Sequence, residues 1–329
     1  MRKKLDFWLK ILVLFGFCVV LIFLLGAGFN NTSYAYAEEG AIDSDPFSEA
    51  DANAHPANGW DSKKEHYYEN SQQVCSKEIY DAKDKNWYWI DANGSVARNK
   101  DVYLQSNGGK WVRYDAAGHM VKGEDYRYGA WYYFDTTTGA MAKGITHVPS
   151  NGGKWVYYDL TTGKMLYGER YVNYDQSHAG WYHFDENIGA MSYGFYFNSP
   201  QHKWVYYDHA SGQMLYGEQL INGHWYDFDE STGAMQYGFV YLSKSQKWVF
   251  YDRRMGWMLY GEHPIDGAWY LLDAHTGAVQ YGWQGLGGKT VCYSWPSGKM
   301  LYGQQNVNNA TYYFDNRTGA LDTRRSSVI

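Results

Sequence analysis

The chain has 329 residues, a net charge of −6, three cysteines and six prolines, and aromatic residues make up 19% of it. The negative balance excludes nucleic acid and anionic membrane surfaces as partners, since both need clustered positive charge. So few cysteines exclude a disulfide framework, and so much aromatic side chain against so little proline excludes an ordinary aliphatic-cored globule.

The first element is an apolar segment. Arg2, Lys3, Lys4 and Lys10 lead into an unbroken apolar run over 11–29, and Ala35-Tyr36-Ala37 supplies the small-x-small site that an export peptidase cuts. Residues 1–37 therefore read as a signal peptide, with the mature chain starting at Glu38. The 19-residue run is also long enough to stay as an uncleaved membrane anchor, and it is the one membrane contact the sequence offers. Cleavage removes four basic residues and one acidic residue, which moves the net charge from −6 to −9. Cys75 and Cys292, 217 positions apart, then read as incidental thiols. The stretch 38–84 is acidic and rich in Ala and Asn to about residue 58, and then mixed. It reads as a linker followed by a degenerate cap around Trp60, Tyr67 and Tyr68.

From 85 to 323 the chain repeats itself. KWVYYDLTTGKMLYGE at 154–169 returns as KWVYYDHASGQMLYGE at 203–218 and as KWVFYDRRMGWMLYGE at 247–262. Eleven units align, starting near Lys85, Lys110, Ala130, Lys154, Gly180, Lys203, His224, Lys247, Ala268, Lys289 and Ala310. Trp holds the first aromatic place in nine of them, and eight of the ten methionines share one repeat position. Such repetition points to an array architecture. Each unit reads as a hairpin: Trp155 to Tyr158 as a strand, Asp159 to Gly163 as a turn, and Lys164 to Tyr167 as the return strand that Gly168 breaks. A lone hairpin is marginal in water, so the units must stack and bury aromatic and Met faces in a continuous seam. The fold class is thus all-β, a solenoid of stacked β-hairpins preceded by a hydrophobic signal helix. The first unit has Val96 and the last Leu321 in place of Met, as expected of end repeats. Residues 324–329 form a short tail.

The units alternate in kind, so the true period is a pair of about 44 residues. One kind carries Glu after its last glycine (Glu169, Glu218, Glu262), and the other carries an aromatic residue there (Phe195, Phe239, Trp283). An aromatic residue at that place can complete an enclosure, whereas Glu brings a carboxylate.

WYYFDTTTGAMAKG at 131–144 and WYDFDESTGAMQYG at 225–238 resemble the cell-wall-binding repeats of Gram-positive surface proteins, which include choline-binding repeats and related repeats of glucan-binding enzymes. The resemblance implies hairpins wound into a superhelix, with ligands held in aromatic cages at the junctions. It implies a ligand-binding role for Trp111, Trp131, Trp155, Trp181, Phe195, Trp204, Trp225, Phe239, Trp248, Trp269 and Trp283. The expected sites combine Phe195 with Trp204 and Phe239 with Trp248. The family's Trp after the last glycine stands here only at 283, where Thr290 and Cys292 replace the aromatics opposite. The binding role therefore carries over, and the ligand stays open between choline and wall sugar.

Aromatic faces hold a quaternary ammonium through the ring quadrupole, and sugar rings by stacking. One shallow site gives about millimolar affinity, and several on one polymer multiply it. The expected partner is therefore a repeating cell-wall polymer, glycan or teichoic acid, met by a secreted, wall-associated protein. Catalysis finds no support: carboxylates come one per unit, and the eleven histidines are scattered without metal-ligand spacing. No cofactor or metal is implied. The alternatives are a surface adhesin or spacer whose ligand is a host glycan or protein, and an accessory chain to a separate hydrolase.

Overall fold

The computed structural model describes residues 55–173 and 175–326. The expected export segment, the linker up to residue 54 and the last three residues lie outside them. No helix among the described residues is long and apolar enough to cross a membrane.

Apart from 3-10 turns at Ser106–Gly108, Ser150–Gly152 and Ser199–Gln201, the regular structure described is β. A small three-stranded sheet comes first, Gly59–Trp60, Tyr67–Glu69 and Gln72–Gln73. Its Trp60 and Tyr67 pack against Tyr88 and Ile90 of the hairpin that follows. Eleven antiparallel hairpins succeed one another, each a five-pair ladder, from Lys77–Asp81 with Asn86–Ile90 to Gly303–Val307 with Ala310–Phe314.

The pairing within a unit differs from the expected one. The Trp strand pairs along its whole length with the segment before it, as Gly168–Val172 does with Gly180–Phe184, so Gly168 opens a strand where a break was expected. The Met segment makes a two-residue pairing at Met165–Leu166 and single bridges elsewhere, such as Tyr207 with Met214. Its backbone is committed to another hairpin. The Met214 N–H donates to the Trp181 carbonyl at 2.8 Å, and the same bond ties Met235 to Trp204, Met258 to Trp225 and Met300 to Trp269. Each unit thus hands its turn to the hairpin before it, and this stitches the stack along its length.

The turn that leads to this stitch explains the fixed letters of the repeat. Asp159 Oδ1 accepts from the Thr162 N–H at 2.6 Å and from the Thr162 hydroxyl at 2.8 Å, which holds its carboxyl below the usual range. Gly163 has φ +71, and a Cβ there would lie 2.4 Å from Met141 Sδ of the preceding unit. A side chain is excluded both by backbone conformation and by space. The hairpin loops are a second set of turns. Asn222-Gly223 and Asp266-Gly267 have φ of 50 and 81 and of 49 and 78. Both are two-residue loops whose paired positive φ suits strand twist.

The core is a chain of small clusters. Val205, Tyr207 and Met214 form one, and Leu242, Val249, Tyr251 and Met258 form another. Burying a side chain such as Met214 stabilises by about 1.5–3 kcal/mol, but no cluster is large enough to hold a hairpin alone. Stability is collective.

Candidate functional site

Where the 238–251 hairpin meets the 261–272 hairpin, a cavity of about 250 Å³ is lined by Phe239, Trp248, Tyr270 and Tyr281, with Val279, Pro296 and Ser297. The backbone explains how four aromatics converge. Phe239 follows the glycine that opens its strand, and it faces Phe250 across the ladder with ring centroids 4.8 Å apart. Tyr270 comes from the next hairpin, 5.0 Å from Phe239. Tyr281 is carried in by the stitch, since the Val279 N–H donates to the Trp248 carbonyl at 2.8 Å. The lining has no charged side chain, and it offers ring faces and one hydroxyl-bearing turn residue.

The corresponding positions one pair of hairpins earlier hold Phe195, Trp204, Tyr226 and Tyr237. Phe195 lies 4.8 Å from Tyr206 and 5.1 Å from Tyr226, and the Met235 N–H donates to the Trp204 carbonyl. Other junctions of this kind are incomplete. Ile145 takes the post-glycine place beside Trp155 and Tyr182. Trp283 packs on Tyr312 at 4.8 Å, but Thr290 stands where the strand Trp belongs, and buried Cys292 faces Trp283 across the ladder. At the junction of Trp111 an ion cluster replaces the aromatic pair. Arg113 is 1% exposed, reaches Asp101 at 2.6 Å and Asp125 at 2.7 Å, and lies with its guanidinium 4.2 Å from the Tyr132 ring.

The nine strand tryptophans are all 38–47% exposed, so they stand at the rim of the seam and not inside it. Seven have an aromatic partner across the ladder at 5.2–5.6 Å (Tyr80 with Trp87, Tyr103 with Trp111, Tyr126 with Trp131, His147 with Trp155, Tyr171 with Trp181, Phe197 with Trp204, Tyr241 with Trp248). Of the expected residues, Phe239 and Trp248 line one cavity. Trp131, Trp181, Trp225 and Trp269 belong to the alternate hairpins, whose post-glycine residue is Glu. There the Tyr207 hydroxyl donates to Glu169 at 3.1 Å and the Tyr293 hydroxyl to Glu262 at 3.0 Å. Asp227, opposite Glu218 in the ladder, has its carboxyl pushed up to about 6 by burial and then by the Glu218, Glu230 and Asp229 charges.

Sequence reasoning missed Tyr226, Tyr237, Tyr270 and Tyr281. The signal was present: Tyr193, Tyr237 and Tyr281 all stand two residues after the Met position. The Lys that precedes the strand Trp at 111, 155, 204 and 248 also has a defined job. Lys154 Nζ donates to the Ile188 carbonyl at 2.6 Å, and Lys110 and Lys247 make the equivalent bond to Thr138 and Thr276. These ammonium groups clasp the next turn, so they are engaged and not free to gather anions.

A family model described as a choline-binding repeat matches residues 104–144 and 200–237. Those two stretches of the array are choline-binding-type repeats. No curated protein sequence matches the chain. Among solved structures, CbpJ from Streptococcus pneumoniae TIGR4 is 23% identical, with a TM-score of 0.53 over 68% of this chain and 88% of its own. Choline binding protein F from Streptococcus pneumoniae is 24% identical, with a TM-score of 0.49 over 74% of this chain and 93% of its own. The likeness to CbpJ is one of fold: a succession of repeat hairpins.

Proposed function

We propose that this chain is an exported binding protein, with no catalytic chemistry of its own, that holds a choline-bearing polymer of the Gram-positive cell wall at several junctions at once. The observation that carries the reading is the cavity of Phe239, Trp248, Tyr270 and Tyr281. A quaternary ammonium has no N–H to donate, so it gains nothing from a carboxylate's hydrogen-bonding geometry and gains most from ring faces in an uncharged lining. Phe195, Trp204, Tyr226 and Tyr237 form the second such site. Trp155, with Ile145 at the post-glycine place, makes a weaker third. The family match to choline-binding repeats supports the same ligand.

Each cation–π contact contributes about 0.5–2 kcal/mol, so a single site holds choline at about millimolar strength. Two or three sites on one polymer strengthen attachment by about a hundredfold to ten-thousandfold. The test is co-sedimentation of the 38–329 chain with isolated Gram-positive walls that carry choline, with and without excess free choline. Binding that free choline abolishes is the expected result. Binding indifferent to choline would transfer the role to the wall's sugars, and absence of binding would overturn the wall-polymer reading altogether.

A further inference from the structure

The Glu junctions differ chemically from the aromatic ones, and the junction at Glu124 holds a cavity of mixed aromatic and polar lining. Its cavity of about 400 Å³ is lined by Glu124, Trp131, Ser150, Lys154 and Tyr167, among others. That volume falls in the range of small-molecule sites. Ser150 Oγ, a buried hydroxyl of that lining, has no hydrogen-bond partner, and neither does the nearby buried Tyr158 OH, which lies outside the lining. Tyr158 is fully buried, and the charge of Glu124 and the hydroxyl of Tyr167, both in the cavity wall, help to raise its pKa after burial itself. Tyr207 and Tyr293 spend the corresponding hydroxyl on Glu169 and Glu262, whereas Tyr251 beside Glu218 is unpartnered like Tyr158. What the Glu124 cavity adds is Ser150 Oγ in its wall, whose unmet hydrogen bond is costly for a buried group unless something satisfies it.

We infer that the Glu124 junction is a second class of site, which takes the hydroxyl-bearing pyranose ring of a wall glycan. Trp131 and Tyr167 offer faces for the C–H surface of the ring. Glu124 accepts from ring hydroxyls, and Ser150 completes the hydrogen bonds. A cation is the poorer occupant, because Lys154 lines the same cavity with its ammonium fixed 2.6 Å from the Ile188 carbonyl and offsets the charge of Glu124. This inference rests on the reading of the array as a wall-polymer binder, but not on choline as its ligand. The two sites sit on alternate junctions and give one polymer two kinds of grip.

The experiment is calorimetric titration of the full chain with two probes, chitotetraose and choline, for the wild type and for Glu124→Ala, Glu124→Gln and Trp131→Ala, each checked for an unchanged β spectrum. Glu124→Ala is expected to weaken chitotetraose binding about tenfold or more, from loss of a charged acceptor. Glu124→Gln keeps an acceptor and weakens it less, Trp131→Ala weakens it through loss of the stacking face, and choline binding is unmoved in all three. Should Glu124→Ala misfold, Trp131→Ala carries the test alone, its ring being already 40% exposed. The inference is overturned if chitotetraose fails to bind the wild type, if it binds Trp131→Ala and the folded Glu124 variants as it binds the wild type, or if these variants lose choline instead. Failure of choline to bind at all would sink the proposed function and leave the chitotetraose result standing, so the two can fail separately.

Discussion

Trp248→Ala separates binding from folding. Trp248 is 46% exposed and meets Tyr241 across the ladder at 5.4 Å. Truncation therefore costs about 0.2–1 kcal/mol of cross-strand pairing, a small loss for a stack stabilised along its length. In the cavity the same change removes one of four ring walls. That is about 0.5–2 kcal/mol of cation–π attraction, or roughly a two- to thirtyfold weaker site. On a polymer the effect grows. With only the Phe195 site left intact, avidity drops by up to about a hundredfold. The assay is a choline titration followed by intrinsic fluorescence, run beside wall co-sedimentation and a thermal melt. Trp269→Ala is the control, equally exposed at 40% but on a Glu-type hairpin. The reasoning is refuted if Trp248→Ala titrates like wild type, or if Trp269→Ala loses choline to the same degree.

Gly233→Ala should destabilise by about 2–4 kcal/mol in urea unfolding, because Gly233 has φ +66 and a Cβ there would lie 2.3 Å from Met214 Sδ. Gly223→Ala, with φ +81 and nothing within 4 Å, should lose only the backbone cost of about 1–2 kcal/mol; equal losses would remove Met contact as the reason for the repeat glycine. Arg113→Ala strands Asp101 and Asp125 and should cost about 3 kcal/mol or more, against less than about 1 kcal/mol for Arg253→Ala, whose ion pair with Asp266 is exposed. Similar midpoints for the two would show that the Arg113 cluster contributes no more than a surface pair. Asp227 binds its proton more tightly folded than unfolded, so its contribution to stability is full below about pH 4 and is lost as pH rises through about 6. Asp227→Asn should flatten that part of the stability profile, and a mutant profile parallel to wild type would assign the slope to other groups.

The repeat length, the strand Trp, the turn Asp and the core Met were all legible in the sequence, because each is a residue type whose physics is local: strand preference, side-chain bonding to a turn, apolar burial. The partner of each strand was not. W-x-Y-x-D followed by T-G and Met looks like a complete hairpin, and only the Met214 N–H bond to the Trp181 carbonyl shows that the Met segment serves the hairpin before it. The better clue was the Asn222-Gly223 and Asp266-Gly267 pairs, the strongest short-range hairpin signal, which lie before the Trp strand and not after it. The site was half legible for a related reason. Phe239 and Trp248 share one hairpin, so their spacing could be read. Tyr270 and Tyr281 reach the cavity from the next hairpin and through the stitch, and no spacing rule within one unit reports that.

The stitch also bears on why only some junctions are built for binding. The same backbone bond recurs from Met141 and Trp111 through Met191 and Trp155 to Val279 and Trp248, and to Leu321 and Thr290, so the backbone frame of a site is present at these junctions whatever side chains fill it. On the proposed function, binding then depends on four positions alone. Two junctions fill them with aromatics at Phe195 and Phe239. The junction of Trp111 spends the same frame on a buried ion cluster, and that of Trp283 lacks the strand Trp. The frame tolerates loss of the strand Trp or the post-glycine aromatic because the stitch bond uses backbone atoms and much of the core uses Met, Val and Tyr on the other side of the strand, while Tyr226 and Tyr270 belong to the core themselves. Sites can therefore be gained or lost one at a time without unfolding the stack. An array held together by backbone stitching and bound through side chains can adjust its grip on a polymer by changing the number of complete cages, with the affinity of each cage left at about millimolar.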